Sequence, residues 1–209
     1  VRYTKASSHS CEEYTLDAEW GKTYTRDGET ALFEDTAGSG TETEPDEPSI
    51  IQLDDIFPGD RGTVSFPVEA DKRNTDASDT VTPTLGLNLT ETAENGLNDP
   101  EREAGDTTES VGELQEHLYV NVWKNTGILG FDALGADDLT QQITESTIAE
   151  GTLAQVAEDL DDEPLGSIDA TSDGDSVSVT LRWEFIDSDS VNETQTDSVT
   201  FDLNIDCQQ

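Results

Sequence analysis

Ser176-Val177-Ser178-Val179-Thr180-Leu181-Arg182-Trp183-Glu184-Phe185 alternates apolar with polar or charged residues along its whole length. Side chains of a β-strand point to opposite faces in turn, so Val177, Val179, Leu181, Trp183 and Phe185 form one buried face. Ser198-Val199-Thr200-Phe201-Asp202-Leu203-Asn204-Ile205 repeats the pattern, with Val199, Phe201, Leu203 and Ile205 inward. The polar stretch from Asp187 to Thr196 between them reads as a hairpin loop. Strict alternation means one dry and one wet face, and hence antiparallel strands in packed layers.

Working outward, the same period recurs. Tyr14, Leu16, Ala18 and Trp20 share a face of the segment Tyr14–Trp20. Ile50-Ile51-Gln52-Leu53 opens another segment, and Val64, Phe66 and Val68 line a third. Pro58-Gly59-Asp60 between the last two is a turn signal. Pro67 predicts an edge position or a strand end. Leu85, Leu87 and Leu89 face inward from the run 82–90, and Leu118–Trp123 alternates after a short helical turn over 111–116. The segment 136–160 reads as the helical part, with Asp137 or Asp138 capping one piece and Ser146 capping a second from Thr147 to Glu158. Seven or eight strands with one short helical insertion predict an all-β jelly-roll β-sandwich. The expected organisation is an arm over 1–13 and a jelly-roll domain over 14–209, carrying an acidic loop at 28–49 and the helical insertion at 136–160.

Charge bounds the function. The chain has 209 residues, 48 acidic, 10 basic, and a formal net charge of -38. A surface this negative repels phosphates, which excludes nucleic acid and anionic membranes as partners. No apolar run approaches the length of a membrane helix, so no membrane insertion is expected. In molar salt the Debye length falls to about 3 Å and self-repulsion is screened, so the composition predicts a protein of a halophilic archaeon. The chain contains no Met. Val1 accordingly reads as a processed terminus, and the expected location is extracellular, at the cell surface.

Residues 1–10 contain no acid, against the rest of the chain. Val1, Tyr3 and Lys5 share one face of an extended arm, Arg2 and Thr4 the other, and Ala6 continues it. Cys11 and Cys207, near the two ends, predict a disulfide. An intrachain bond is favoured because Cys11 adjoins the strand Tyr14–Trp20; a bond between subunits is the alternative.

Catalytic constellations are sparse. His9 and His117 sit in no metal-binding motif, and no carboxylate pair stands out, so no enzyme activity and no required cofactor are expected. Asp169, Asp173 and Asp175 around Gly174 form a weak candidate calcium loop. Asn88 and Asn192 head sequons, Asn88-Leu89-Thr90 and Asn192-Glu193-Thr194, and are glycosylation candidates.

Leu53-Asp54-Asp55-Ile56-Phe57-Pro58-Gly59-Asp60 followed by Thr63-Val64-Ser65-Phe66-Pro67-Val68 resembles a segment of the TasA/camelysin family, which includes archaeal bundling pilins. Tyr14–Trp20 is similar to that family's first core strand. Glu94-Asn95-Gly96 through Glu103-Ala104-Gly105-Asp106, Gly112-Glu113-Leu114, Leu118–Trp123 and Gln195-Thr196-Asp197-Ser198-Val199-Thr200-Phe201 resemble haloarchaeal members. The resemblance implies a jelly roll and an extracellular fibre, in which one subunit's N-terminal strand completes its neighbour, called donor-strand complementation. Such fibres would serve adhesion, bundling or a biofilm matrix. Val1, Arg2, Tyr3, Thr4, Lys5 and Ala6 would then be the polymerisation arm, and copies of the same chain the partners in a head-to-tail filament. Residues 1–10 are more polar than a usual donor strand, and no zinc motif matches the protease activity described for camelysins. The alternative is a monomeric secreted or cell-surface module binding calcium or sugar.

Overall fold

The computed structural model describes residues 1–4, 9–11, 13–18, 21–26, 29–32, 49–105, 107, 111–125, 146–172, 175–186, 194 and 196–207. Among these, the chain is mainly antiparallel β-sheet with short helices, as the alternation predicts. A five-stranded sheet runs in the order β1 (Arg2–Thr4), β6 (Ser49–Leu53), β15 (Ser198–Cys207), β9 (Pro83–Ala93) and β12 (Glu163–Pro164). The larger sheet runs β11 (Ser146–Thr152), β10 (Leu118–Asn125), β14 (Ser176–Phe185), β7 (Arg61–Lys72), β3 (Tyr14–Ala18) and β2 (His9–Ser10). In that sheet β4 (Gly21–Arg26) also pairs with β7 and carries β5 (Glu29–Leu32) at its far side. A small ladder joins β8 (Thr80–Val81) to β13 (Ile168–Asp169).

The apolar faces of both main sheets feed one core. Ile51, Leu53, Leu85, Leu87, Val199, Phe201 and Leu203 come from the smaller sheet. Leu16, Val64, Phe66, Val68, Val120, Val122, Val179, Leu181, Trp183 and Phe185 come from the larger. These are the inward sets that the alternation predicts, because a one-residue slip in register would move each set into water.

Four expectations change. Strands β14 and β15 are not a hairpin: β14 pairs with β10 and β7, whereas β15 pairs with β6 and β9. A polar connection can cross between layers as readily as turn back, and each strand here has two better-matched neighbours. Pro67 lies inside a central strand, opposite Ser178 of β14. On the other side of β7 the described pairing reaches Val68 with β3 and Ser65 with β4, and residues 19 and 20 between those two strands lie outside the described set.

The helical reading of 136–160 is half right within the described residues, which begin at 146. Ser146–Thr152 is strand β11, laid against β10 with Tyr119 opposite Thr152 and Val122 opposite Ala149. Helix α3 (Leu153–Asp159) starts only after it, capped by Thr152 with Gln155 completing a capping box. The open edge of β10 thus takes the stretch 146–152 away from the helix, while Leu153, Val156 and Leu160 reach the core. The acidic stretch 28–49 is not loop at its ends: Glu29–Leu32 is β5 and Ser49 opens β6, and residues 33–48 lie outside the described set. Helix α1 (Asp99–Ala104) and helix α2 (Leu114–His117) lie in the long connection from β9 to β10.

Candidate functional site

The N-terminal arm is seated on its own domain. Strand β1 runs antiparallel to β6, with Arg2 opposite Gln52, Tyr3 opposite Ile51 and Thr4 opposite Ile50. It forms the edge of the five-stranded sheet. Val1 and Tyr3 pack against the core, as their shared face predicts. The Val1 amino group donates to Asp54 Oδ1 at 3.0 Å.

Tyr3 reaches across to the larger sheet. Its hydroxyl accepts a hydrogen bond of 3.2 Å from Nε1 of Trp183, a residue with no exposed surface. Burial pushes the Tyr3 phenol up to about 12, and the Trp183 N–H opposes that only in part. Gly62 makes room for the pair: a Cβ there would stand 2.6 Å from Trp183 Nε1 and 2.7 Å from the Tyr3 hydroxyl. Tyr24 also stacks on Trp183, with ring centroids 6.0 Å apart. The seat is therefore a slot built by β7, β14 and β4 and filled by one aromatic from a three-residue strand.

The turn signal at 58–60 proves to be the brace beside this slot. Asp60 is buried and its Oδ2 accepts from the Tyr24 hydroxyl (2.7 Å), Arg26 Nε (3.0 Å) and the Phe57 N–H (2.9 Å). The Arg26 guanidinium also donates to the Asp55 carbonyl and lies 4.7 Å from the Phe57 ring centroid. Gly59 takes φ +91°, which a residue with a Cβ rarely adopts, and donates to the Phe185 carbonyl at 2.7 Å. Burial first, and then the bond and charge of Asp60, hold the Tyr24 phenol above its ordinary range. Neither Tyr24 nor Arg26 stood out in the sequence, because the signal that marks them is a fold contact with Asp60, more than thirty residues away.

The root of the arm is tied down. Cys11 and Cys207 form a disulfide within the chain, Cα to Cα 5.9 Å. It joins the start of the larger sheet to the end of β15 in the smaller one. Lys5 and Ala6 lie outside the described residues, and of Arg2 and Thr4 only the backbone is described.

Other candidate residues are dispersed. Asn88 is exposed on β9, opposite Asp202, and its outward orientation is the one expected; Asn192 lies outside the described residues. Asp169 is half-buried, and both its carboxylate oxygens are taken within its own turn by Thr171 and Ser172. These bonds, led by the Thr171 hydroxyl, hold its carboxyl below the usual range. Asp175 Oδ2 accepts from the Asp169 N–H at 2.7 Å, and Asp173 lies outside the described residues. A different carboxylate group does converge: one ligand oxygen from each of Glu94, Glu101 and Asp197 lies within 4.8 Å of the others. Among the described residues no helix is long and apolar enough to cross a membrane.

An edge strand docked through Val1 and Tyr3 completes a mainly antiparallel, all-β protein. No protein-family model matches the chain, and no curated protein is significantly similar to it in sequence.

Proposed function

We propose that the protein is a structural subunit of an extracellular filament, a jelly roll in which the seat of β1 accepts the N-terminal strand of a neighbouring copy. The observation that carries this reading is the arm itself: three paired residues closing a sheet edge, with Tyr3 as the one aromatic in a preformed slot. The seat does not distinguish its own arm from an identical one. Exchange conserves every docking contact, so the equilibrium depends on the linker and on whatever new interface the copies form.

The energetics support exchange. Burying Val1 and Tyr3 contributes about 3–6 kcal/mol. Ordering four backbone residues costs about 4–8 kcal/mol. The ladder with β6 tips this near-balance, so the arm is held by a small margin. The disulfide at Cys11 and the pairing of His9–Ser10 with β3 keep the remaining domain closed while β1 leaves its seat. A head-to-tail contact of unlike surfaces then propagates into an open filament. The net charge of -38 fits assembly at high salt, as in a halophilic archaeon, where repulsion between subunits is screened.

Negative-stain microscopy of the purified protein in molar salt tests the reading. Filaments are expected from the full chain, and deletion of residues 1–10 should leave a folded species that does not assemble. Normal filaments from the truncated chain would refute strand exchange. A stable monomer under all conditions would favour a secreted binding module, with the arm permanently seated on its own domain.

A further inference from the structure

We infer that Glu94, Glu101 and Asp197 form a calcium site that fastens the connection after β9 to the start of β15. The three side chains come from separate places in the chain. Glu94 follows the last residue of β9, Glu101 lies in α1, and Asp197 precedes the first residue of β15. These strands are paired neighbours, and Ala93 stands opposite Ser198. Their ends therefore bring Glu94 and Asp197 together, and α1 lays Glu101 over both.

Backbone and hydroxyl donors hold the carboxylates as acceptors. Glu101 has no exposed surface. Its Oε1 accepts from the Thr196 N–H and hydroxyl, each at 2.9 Å, and its Oε2 from the Asn98 N–H at 2.5 Å. Glu94 Oε1 accepts from the Gly96 N–H at 3.1 Å and lies 3.2 Å from the Thr196 hydroxyl, whose one proton goes to the nearer Glu101 Oε1. Asp197 Oδ2 accepts from the Glu113 N–H at 2.6 Å. Gly112 leaves the space for this approach, since a Cβ there would stand 2.9 Å from Asp197 Oδ2.

Two oxygens remain over. Asp197 Oδ1 and Glu94 Oε2 are buried without a hydrogen-bond partner, and Asp197 is only 3% exposed. None of the ion pairs among the described residues reaches the cluster; Arg102 on the same helix turns to Asp99 instead. Buried carboxylates at this spacing are stabilised by protonation or by a cation between them. Of the three carboxylate charges one shared proton would compensate one, and a divalent cation compensates two while offering a partner to the orphan oxygens. The donors are all hard oxygens in irregular array, which suits calcium and not the strict octahedron of magnesium.

The test is calorimetric titration of CaCl2 into the chelator-treated full-length protein in molar NaCl, where weak surface binding to carboxylates is suppressed. One saturable equivalent per chain is expected, with a raised melting temperature in calcium and a much smaller effect of MgCl2. Glu94→Gln and Asp197→Asn should each lower the affinity at least tenfold. The double change Asp169→Asn with Asp175→Asn should not. Circular dichroism and an intact disulfide establish that each variant is folded. If Asp197→Asn fails to fold, the half-exposed Glu94→Gln carries the test. The site is refuted if no saturable equivalent appears, if Glu94→Gln binds as the parent does, or if magnesium binds as tightly. It is refuted too if acidification stabilises the chelated protein and calcium does not.

Discussion

Tyr3→Phe isolates the contact on which the arm depends. The substitution keeps the ring and the backbone ladder with β6 but removes the oxygen that Trp183 Nε1 donates to. Trp183 is fully buried, and the slot floor at Gly62 leaves no room beside it for another acceptor side chain. A buried donor left unsatisfied costs about 1–3 kcal/mol. For a domain of this size that corresponds to a fall of about 2–12 °C in melting temperature. Tyr3→Ala also loses the ring. A full aromatic truncation costs about 3–5 kcal/mol in a closed core. Here the loss is capped, because the edge strand can leave its seat and let water reach Trp183. Tyr3→Ala should therefore cost little more than Tyr3→Phe, while exposing those β6 amides that face β1, and the Trp183 indole, to hydrogen exchange. Thermal denaturation followed by tryptophan fluorescence, with exchange read by NMR, measures both. An unchanged melting temperature in Tyr3→Phe with full protection of the Trp183 indole would refute the reasoning. So would a Tyr3→Ala variant that unfolds globally.

The remaining expectations can be checked with standard measurements. Asp60→Ala removes the shared acceptor of Tyr24, Arg26 and the Phe57 N–H, and should cost about 3 kcal/mol in urea denaturation; a loss under about 0.5 kcal/mol would show that the brace is dispensable. The Tyr3 phenol is protonated in the fold up to about pH 12, against an ordinary value of 10.0, so its contribution to stability is complete below pH 10 and is lost as pH rises towards 12; spectrophotometric titration should lose one late-ionising tyrosine in Tyr3→Phe. Denaturing electrophoresis without reductant should give a monomer with both thiols blocked, and Cys11→Ser with Cys207→Ser should destabilise by up to about 5 kcal/mol, the chain-entropy value for so long a loop. Dilution from molar salt to about 0.1 M lengthens the Debye length to about 10 Å and should lower the melting temperature; an unchanged or higher value would contradict the halophilic reading.

Alternation alone determined which side chains face the core. Val64, Phe66, Val179, Leu181, Trp183, Phe201 and Leu203 are buried where the period of two puts them, because a strand covered on one face admits only that register. The same rule marked Val1 and Tyr3 as one face of the arm. What periodicity carries no information about is the neighbour. Whether β14 turns back onto β15 or crosses to another sheet, and whether Ser146–Thr152 winds into a helix or completes the edge of β10, depends on hydrogen bonds to strands remote in sequence. The disulfide partners were legible as the only two cysteines; their closure within one chain required the ends of two sheets to meet. The acid clusters show the limit most plainly. In a chain with 48 carboxylates no pattern of spacing separates Glu94, Glu101 and Asp197 from the rest. Among the described residues they stand out by ligand oxygens that lie within 4.8 Å of one another, and that closeness is a property of the fold that brings the ends of β9 and β15 side by side.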